Sequence, residues 1–192
     1  MSYQIQQACE EARLWNEINS DRQGTVMEHG LNGEKKRWEP PLPGYVKCNI
    51  HSNWRNARIH SGIALIIRDP QSKVLHHARD AITFYPNRFT AELRCLAWAL
   101  RSRKDLGYTD VVIGSDFREI IEAVRRSNEW PRFHIFLQEI EVLCSLFCSV
   151  AFETESFDSN QIAREIARSV LRDGRFNSYL ALGDLLGCIR ES

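Results

Sequence analysis

Two carboxylates and a histidine are the side chains whose surroundings invite a chemical reading. Glu92 stands in "TAELRCLAWAL", Asp116 closes the apolar run "DVVIGSD", and His51 sits where "YVKCNIHSNW" turns from apolar to polar. Carboxylate oxygens are the donors that hard divalent cations take, and neutral imidazole offers Zn²⁺, Mn²⁺ or Fe²⁺ one lone pair. Taken singly, a glutamate on a helix and an aspartate at a strand end are ordinary solvated groups. His76 and His77 are successive residues of a strand pattern and so face opposite ways, which excludes joint ligation. The six cysteines, Cys9, Cys48, Cys95, Cys144, Cys148 and Cys188, are scattered, most of them in apolar runs, without the paired spacing of a zinc site. They read as reduced core residues. Any chemistry therefore depends on whether the fold brings His51, Glu92 and Asp116 together.

The elements that must position them follow from periodicity. Residues 45–51, 61–69 and 73–84 read as strands, the last two joined by the turn "DPQS" as a hairpin. "NRFTAELRCLAWALRSRKDLG" reads as a helix with Leu93, Leu96, Ala97 and Leu100 as its stripe, Thr90 as its cap and Gly107 as its stop. Residues 110–116 form a short apolar strand of the buried central kind. The helix "FREIIEAVRRS" follows, then the break "EWPRF", then the helix "HIFLQEIEVLCSLF", apolar on most of its faces. A strand at 148–154 and a helix "SNQIAREIARSVLRDG", with Ser159 as cap and Gly174 as stop, complete the pattern. Three strands, a helix, a strand, two helices, a strand and a helix predict an α/β fold with a five-stranded mixed sheet flanked by helices.

Upstream, Ile5, Ala8, Cys9, Ala12, Trp15 and Ile18 share one face of an amphipathic helix over 1–19. Residues 20–43 carry three prolines and several glycines without periodicity and read as a linker. The folded domain is expected over 44–182, with a tail at 183–192. With 192 residues, 43% of them hydrophobic, the chain can bury a sizeable core, and its formal net charge of zero gives no overall attraction to nucleic acid. Local patches remain: Arg101, Arg103 and Lys104, and Arg125, Arg126 and Arg132, are candidate phosphate contacts or helix-end charges. Trp98 and Trp130 read as packing aromatics. No stretch approaches a membrane span, and the polar N-terminus does not read as a secretory signal, so an intracellular protein is the expectation.

The order of elements, with "WEPPLPGYVKCNIHSNW", "GIALIIRDPQSKVL", "TAELRCLAWALRSRKDLGYTDVVIGSDFREIIEAV" and "SNQIAREIARSVLRDGRFNSYL", resembles the ribonuclease H-type domain of plant reverse-transcriptase-like and non-LTR retroelement-derived proteins. The resemblance covers about residues 38–182. It implies hydrolysis of the RNA strand of an RNA–DNA hybrid by two Mg²⁺ ions, which four carboxylates hold between them. Carried over by position, the family's glutamate falls on Glu92 and its second aspartate on Asp116. Its first aspartate falls on His51. Its last, in a pattern N-x-x-A-D, falls on Arg164 of "NQIAR". A histidine and an arginine of the loop before the last helix fall near Thr154 and Phe157.

The two replacements add positive charge where the family concentrates negative charge, by one unit at His51 if the ring is neutral and by two at Arg164. The resemblance therefore leads to a ribonuclease H-like nucleic-acid-binding domain in which two-metal catalysis is degraded. His51 and Arg164 mark the lost carboxylates, and Glu92 and Asp116 are remnants that serve as ligands only if a metal is bound. No cofactor is expected, with Mg²⁺ or Mn²⁺ required if the chain is active. Its partners would be an RNA–DNA hybrid or RNA, bound weakly, and a protein taken up through the N-terminal helix. The alternatives are an active RNA–DNA hybrid ribonuclease with an altered site, and a protein-interaction module using the N-terminal helix and the helix 134–147. All four positions, His51, Glu92, Asp116 and Arg164, are expected to converge at one edge of the sheet, outside the strand ends.

Overall fold

A computed structural model describes residues 37–172 and 178–183. The expected N-terminal helix 1–19, linker residues 20–36, Gly174 and tail residues 184–192 lie outside these. Strand β1 (Val46–Asn53) pairs antiparallel with β2 (Ser61–Arg68), which pairs antiparallel with β3 (Val74–Ile82). Helix α1 (Arg88–Asp105) then leads to β4 (Asp110–Ser115), which lies parallel to β1. Helices α2 (Arg118–Arg125) and α3 (His134–Cys144) follow, separated by two short 3₁₀ turns. Strand β5 (Ser149–Thr154), parallel to β4, and α4 (Gln161–Arg172) come next.

The expected five strands become six. Residues Tyr179–Leu182 form β6, which pairs antiparallel with β3 and makes the sheet order β5-β4-β1-β2-β3-β6. Four residues are too few for periodicity to identify a strand, and β6 exists because the edge of β3 offers it backbone partners.

One face of the sheet packs on α1, α2 and α3 through Cys48, Ile50, Leu65, Leu93, Leu96, Leu100, Ile113 and Ile121, all fully buried. The other is covered by α4, where Ala163 meets Ile66 and Val74. Every residue of β2 is buried, as expected of a strand covered on both faces. Gly62 explains how closely α4 sits: a Cβ there would lie 2.1 Å from the Ala167 carbonyl oxygen and 2.8 Å from Val170 Cβ. The substitution Gly62→Ala is expected to push α4 off the sheet and cost at least about 2 kcal/mol in urea unfolding. An unchanged midpoint would refute that account of the packing.

Three local expectations need correction. Asn87, not Thr90, caps α1: its Oδ1 accepts from the Thr90 backbone N–H at 2.9 Å and from the Thr90 hydroxyl at 3.0 Å. Gly107, at φ +79, does follow the end of that helix. Ser159 does not cap α4: the helix begins at Gln161, so Asn160 stands directly before it, and the Ser159 hydroxyl accepts from Ser156 and donates to Glu155 Oε2 at 2.7 Å. The helix 134–147 ends at Cys144 and buries only Leu137 and Ile140, leaving Ile135 and Val142 exposed.

The described part of the expected linker is tied to the sheet. Trp38 Nε1 donates to Asn49 Oδ1 at 2.7 Å, and the Arg68 guanidinium stacks on the Trp38 ring at 4.6 Å. Beneath it, Lys47 is buried and pairs with Glu153 and Glu155 at 2.7 Å each. This network anchors the turn from β5 into α4.

Candidate functional site

The parallel ladder of β1 and β4 sets Ile50 opposite Ser115, so His51, the next residue of β1, lies beside Asp116, the residue that follows β4. His51 Nδ1 lies 3.1 Å from Asp116 Oδ1. Asn160, the residue before α4, sends its amide Nδ2 to the same oxygen at 2.5 Å and to the Ile50 carbonyl at 2.9 Å. One helical turn on, Arg164 places Nη1 against Asp116 Oδ2 in an ion pair. The Arg164 guanidinium also stacks on the Phe157 ring at 4.0 Å, so the loop between β5 and α4 holds it in place.

Glu92 enters from the other face of the sheet. Its side chain is fully buried, Oε2 accepts from the Ser52 backbone N–H at 3.2 Å, and Oε1 lies 3.5 Å from Arg88 Nε one turn earlier on α1. The four positions His51, Glu92, Asp116 and Arg164 therefore converge at the end of β1 and β4. Asn160, Arg88 and the Ser52 amide join them. Asn160 opens "NQIAR", which was the available signal for it, whereas no pattern marks a backbone amide or an arginine one turn from a glutamate.

The charges separate sharply. Burial drives the Glu92 carboxyl up to about 8, opposed by Arg88 and reinforced by the negative charge of Asp116. Burial works on Asp116 in the same direction, but the hydrogen bond and charge of His51, the Asn160 amide and the Arg164 guanidinium outweigh it and hold that carboxyl at about 2. Burial also lowers His51, with Arg164 and Arg88 adding to the effect against the pull of Asp116. A neutral ring beside an ionised acceptor carries its proton on Nδ1 and donates it to Asp116. The lasting positive charge on Asp116 is then that of Arg164.

This donor set does not fit a divalent cation. Both Asp116 oxygens already receive donors, from Asn160 and from Arg164, and a permanent guanidinium stands among them. Among the described residues, no group of three or more His, Cys, Asp and Glu side chains could hold a metal ion.

The outlying candidates separate from the site. Arg103, a candidate phosphate contact, is fully buried, with its guanidinium over the Tyr108 ring at 5.5 Å, and so cannot reach a phosphate. Arg101 pairs with Glu139, and Arg126 with Glu129 at 3.8 Å. Lys104 donates to the Leu146 carbonyl at 3.3 Å and Arg125 to that of Phe152, while Arg132 lies over Phe133 at 5.8 Å. Trp130 stacks on Phe89 at 4.8 Å, and Trp98 packs on the core. His76 and His77 meet different rings, those of Tyr108 and Tyr179.

The sheet order and the helices on its two faces define a ribonuclease H-like α/β fold. Solved structures agree: ribonuclease H1 from the halophilic archaeon Halobacterium salinarum superimposes with a TM-score of 0.62 at 17% identity, covering 68% of this chain and 99% of that one. The N-terminal RNase H domain of a Mycobacterium tuberculosis protein gives 0.58 at 20% identity, covering 66% and 93%. The enzyme LC11-RNase H1, solved in complex with an RNA/DNA hybrid, gives 0.56 at 18%, covering 65% and 94%. At these identities the likeness is one of fold. Residues 49–170 match the family model described as "Reverse transcriptase-like", and the chain belongs to that family. Among curated proteins, no relative matches. Among the described residues, no helix is long and apolar enough to cross a membrane.

Proposed function

We propose that this chain is a ribonuclease H-type domain that binds nucleic acid, an RNA–DNA hybrid above all, without two-metal cleavage at this site. The observation that carries the reading is the Arg164 guanidinium on Asp116, where it supplies from within the chain the positive charge that a cation would bring. His51 and Arg164 stand at the positions of two family carboxylates. Glu92 and Asp116 are the remaining pair, and they bind metal only if Arg164 is displaced. On this reading the nucleic-acid-binding unit is the domain expected over 44–182, with the Trp38 segment tied to its sheet, inside the cell.

The hybrid is favoured because one similar structure was solved with an RNA/DNA hybrid bound. The test is a hybrid-cleavage assay in Mg²⁺ and in Mn²⁺, with binding of the same duplex measured in parallel over a range of salt. Binding that weakens linearly with log salt, and no cleavage, is the expected pair of results. Cleavage abolished by Asp116→Asn would establish an active ribonuclease with an altered site. Absence of binding would leave a protein-interaction module.

A further inference from the structure

The end of the sheet that carries His51 also carries a cleft of about 400 Å³, lined by Arg55, Arg58, Ile59, His60, Phe84 and Leu171. Its volume lies within the range of small-ligand sites. Ser61 at the start of β2 lies three positions along that strand from Ala64, the partner of His51, about 10 Å along the sheet. The cleft is therefore a neighbour of the candidate site without sharing a residue with it.

Its chemistry is of two kinds. Phe84 is 56% exposed although large and apolar, and its ring is backed by that of His60, with centroids 4.8 Å apart. Ile59, 38% exposed, and Leu171 extend the apolar surface. Beside this floor stand two guanidiniums, those of Arg55 and Arg58, on the exposed loop between β1 and β2. Neither has an ion-pair partner among the described residues, and no lining residue is acidic.

We propose that this cleft is a subsite for an unstacked nucleobase and its adjoining phosphate, at a single-stranded end of nucleic acid. The proposal rests on the nucleic-acid-binding reading above and adds to it a place and a substrate form. An aromatic face open to solvent stacks any base, because every base has a π-face, while arginines take the backbone charge. A base within a duplex has both faces covered by its neighbours, so only an unpaired one can lie on Phe84. The strand end is favoured over a free nucleotide because the cleft opens beside the candidate site instead of enclosing a ligand on all sides.

The full chain is titrated, across salt, with a labelled blunt RNA–DNA hybrid and with the same hybrid carrying a single-stranded extension. The extension is expected to tighten binding by about fivefold to a hundredfold, the range of one stacked base. Phe84→Ala abolishes that gain while leaving blunt-hybrid binding unchanged, and Phe84→Trp retains it. Replacing Arg55 and Arg58 together by alanine lowers the salt slope for the extended substrate by roughly 1.5, two phosphate contacts. A nucleoside monophosphate competes only weakly.

An extension without effect, or a gain that survives Phe84→Ala, overturns the subsite even where the hybrid binds. A free nucleotide that binds more tightly than the extended strand overturns it in favour of a small-molecule site. Binding of the single strand without the hybrid sustains the subsite and defeats the hybrid reading, and no binding of either defeats both.

Discussion

A chain carrying both His51→Asp and Arg164→Asp is expected to lose several kcal/mol of stability in EDTA and to regain much of it in Mg²⁺, whereas the unaltered chain responds to neither. In the unaltered chain Asp116 is held by Arg164, His51 and Asn160. Removing the guanidinium from a buried pair costs about 3–5 kcal/mol, because the remaining charge is left without compensation. Two new carboxylates beside it add like-charge repulsion. The same change assembles the four-carboxylate set, and a cation at a hundred times its Kd returns about 2.7 kcal/mol. For a chain of this length that is a rise of roughly 5–10 °C in Tm. His51→Asp alone is expected to show no Mg²⁺ response, since Arg164 remains to pair with the new carboxylate. Stability is the better readout than cleavage, because hydrolysis requires more than bound metal. The account fails if Mg²⁺ stabilises the unaltered chain and Asp116→Asn removes that effect.

The convergence of His51, Glu92, Asp116 and Arg164 was legible through the family resemblance, which alone singled out Arg164 and aligned the four positions; local signals mark only the elements that carry them. An apolar strand such as residues 110–116 and a striped helix such as α1 announce themselves over their own length. What escaped depends on contacts between distant residues. Asn160 reads as a polar residue before a helix until Ile50 and Asp116, 110 and 44 positions away, are seen to accept from it. Trp38 sits among prolines and lysines, so its segment read as a linker, yet a single indole N–H to Asn49 and a guanidinium on its ring tie it to the sheet. Helix α3 reads as apolar on most of its faces, and the structure buries only Leu137 and Ile140 of it while Ile135 and Val142 face outward. Hydrophobicity alone specifies neither the partner nor whether there is one.

The second large effect concerns Glu92. Replacing it by glutamine is expected to stabilise the chain progressively as pH rises from about 4.5 to about 8. Full burial raises the folded-state pKa to about 8 from an ordinary 4.5, so over that interval the folded state binds a proton that the unfolded state releases. Stability falls with rising pH wherever the folded state holds more protons. The penalty is absent below pH 4.5, where both states are protonated, and complete above pH 8, where folding must bury the charge. The span from 4.5 to about 8 corresponds to something on the order of 5 kcal/mol.

Glutamine keeps an oxygen for the Ser52 amide and carries no charge, so it lacks the penalty at every pH. Asp116 and His51 pull the other way. The Asp116 carboxyl, lowered to about 2, contributes stability present above pH 3.8 and lost as pH falls toward 2. His51, lowered by burial, contributes stability that is lost as pH falls below its ordinary 6.5. Both are shared by the unaltered and Glu92→Gln chains and cancel in the difference between them. Urea unfolding of the two chains at pH 5, 6, 7 and 8 measures that difference directly. A gap that does not widen with pH would mean that Glu92 is ionised in the folded chain at neutral pH, and with it that the site presents two carboxylates to a cation instead of one.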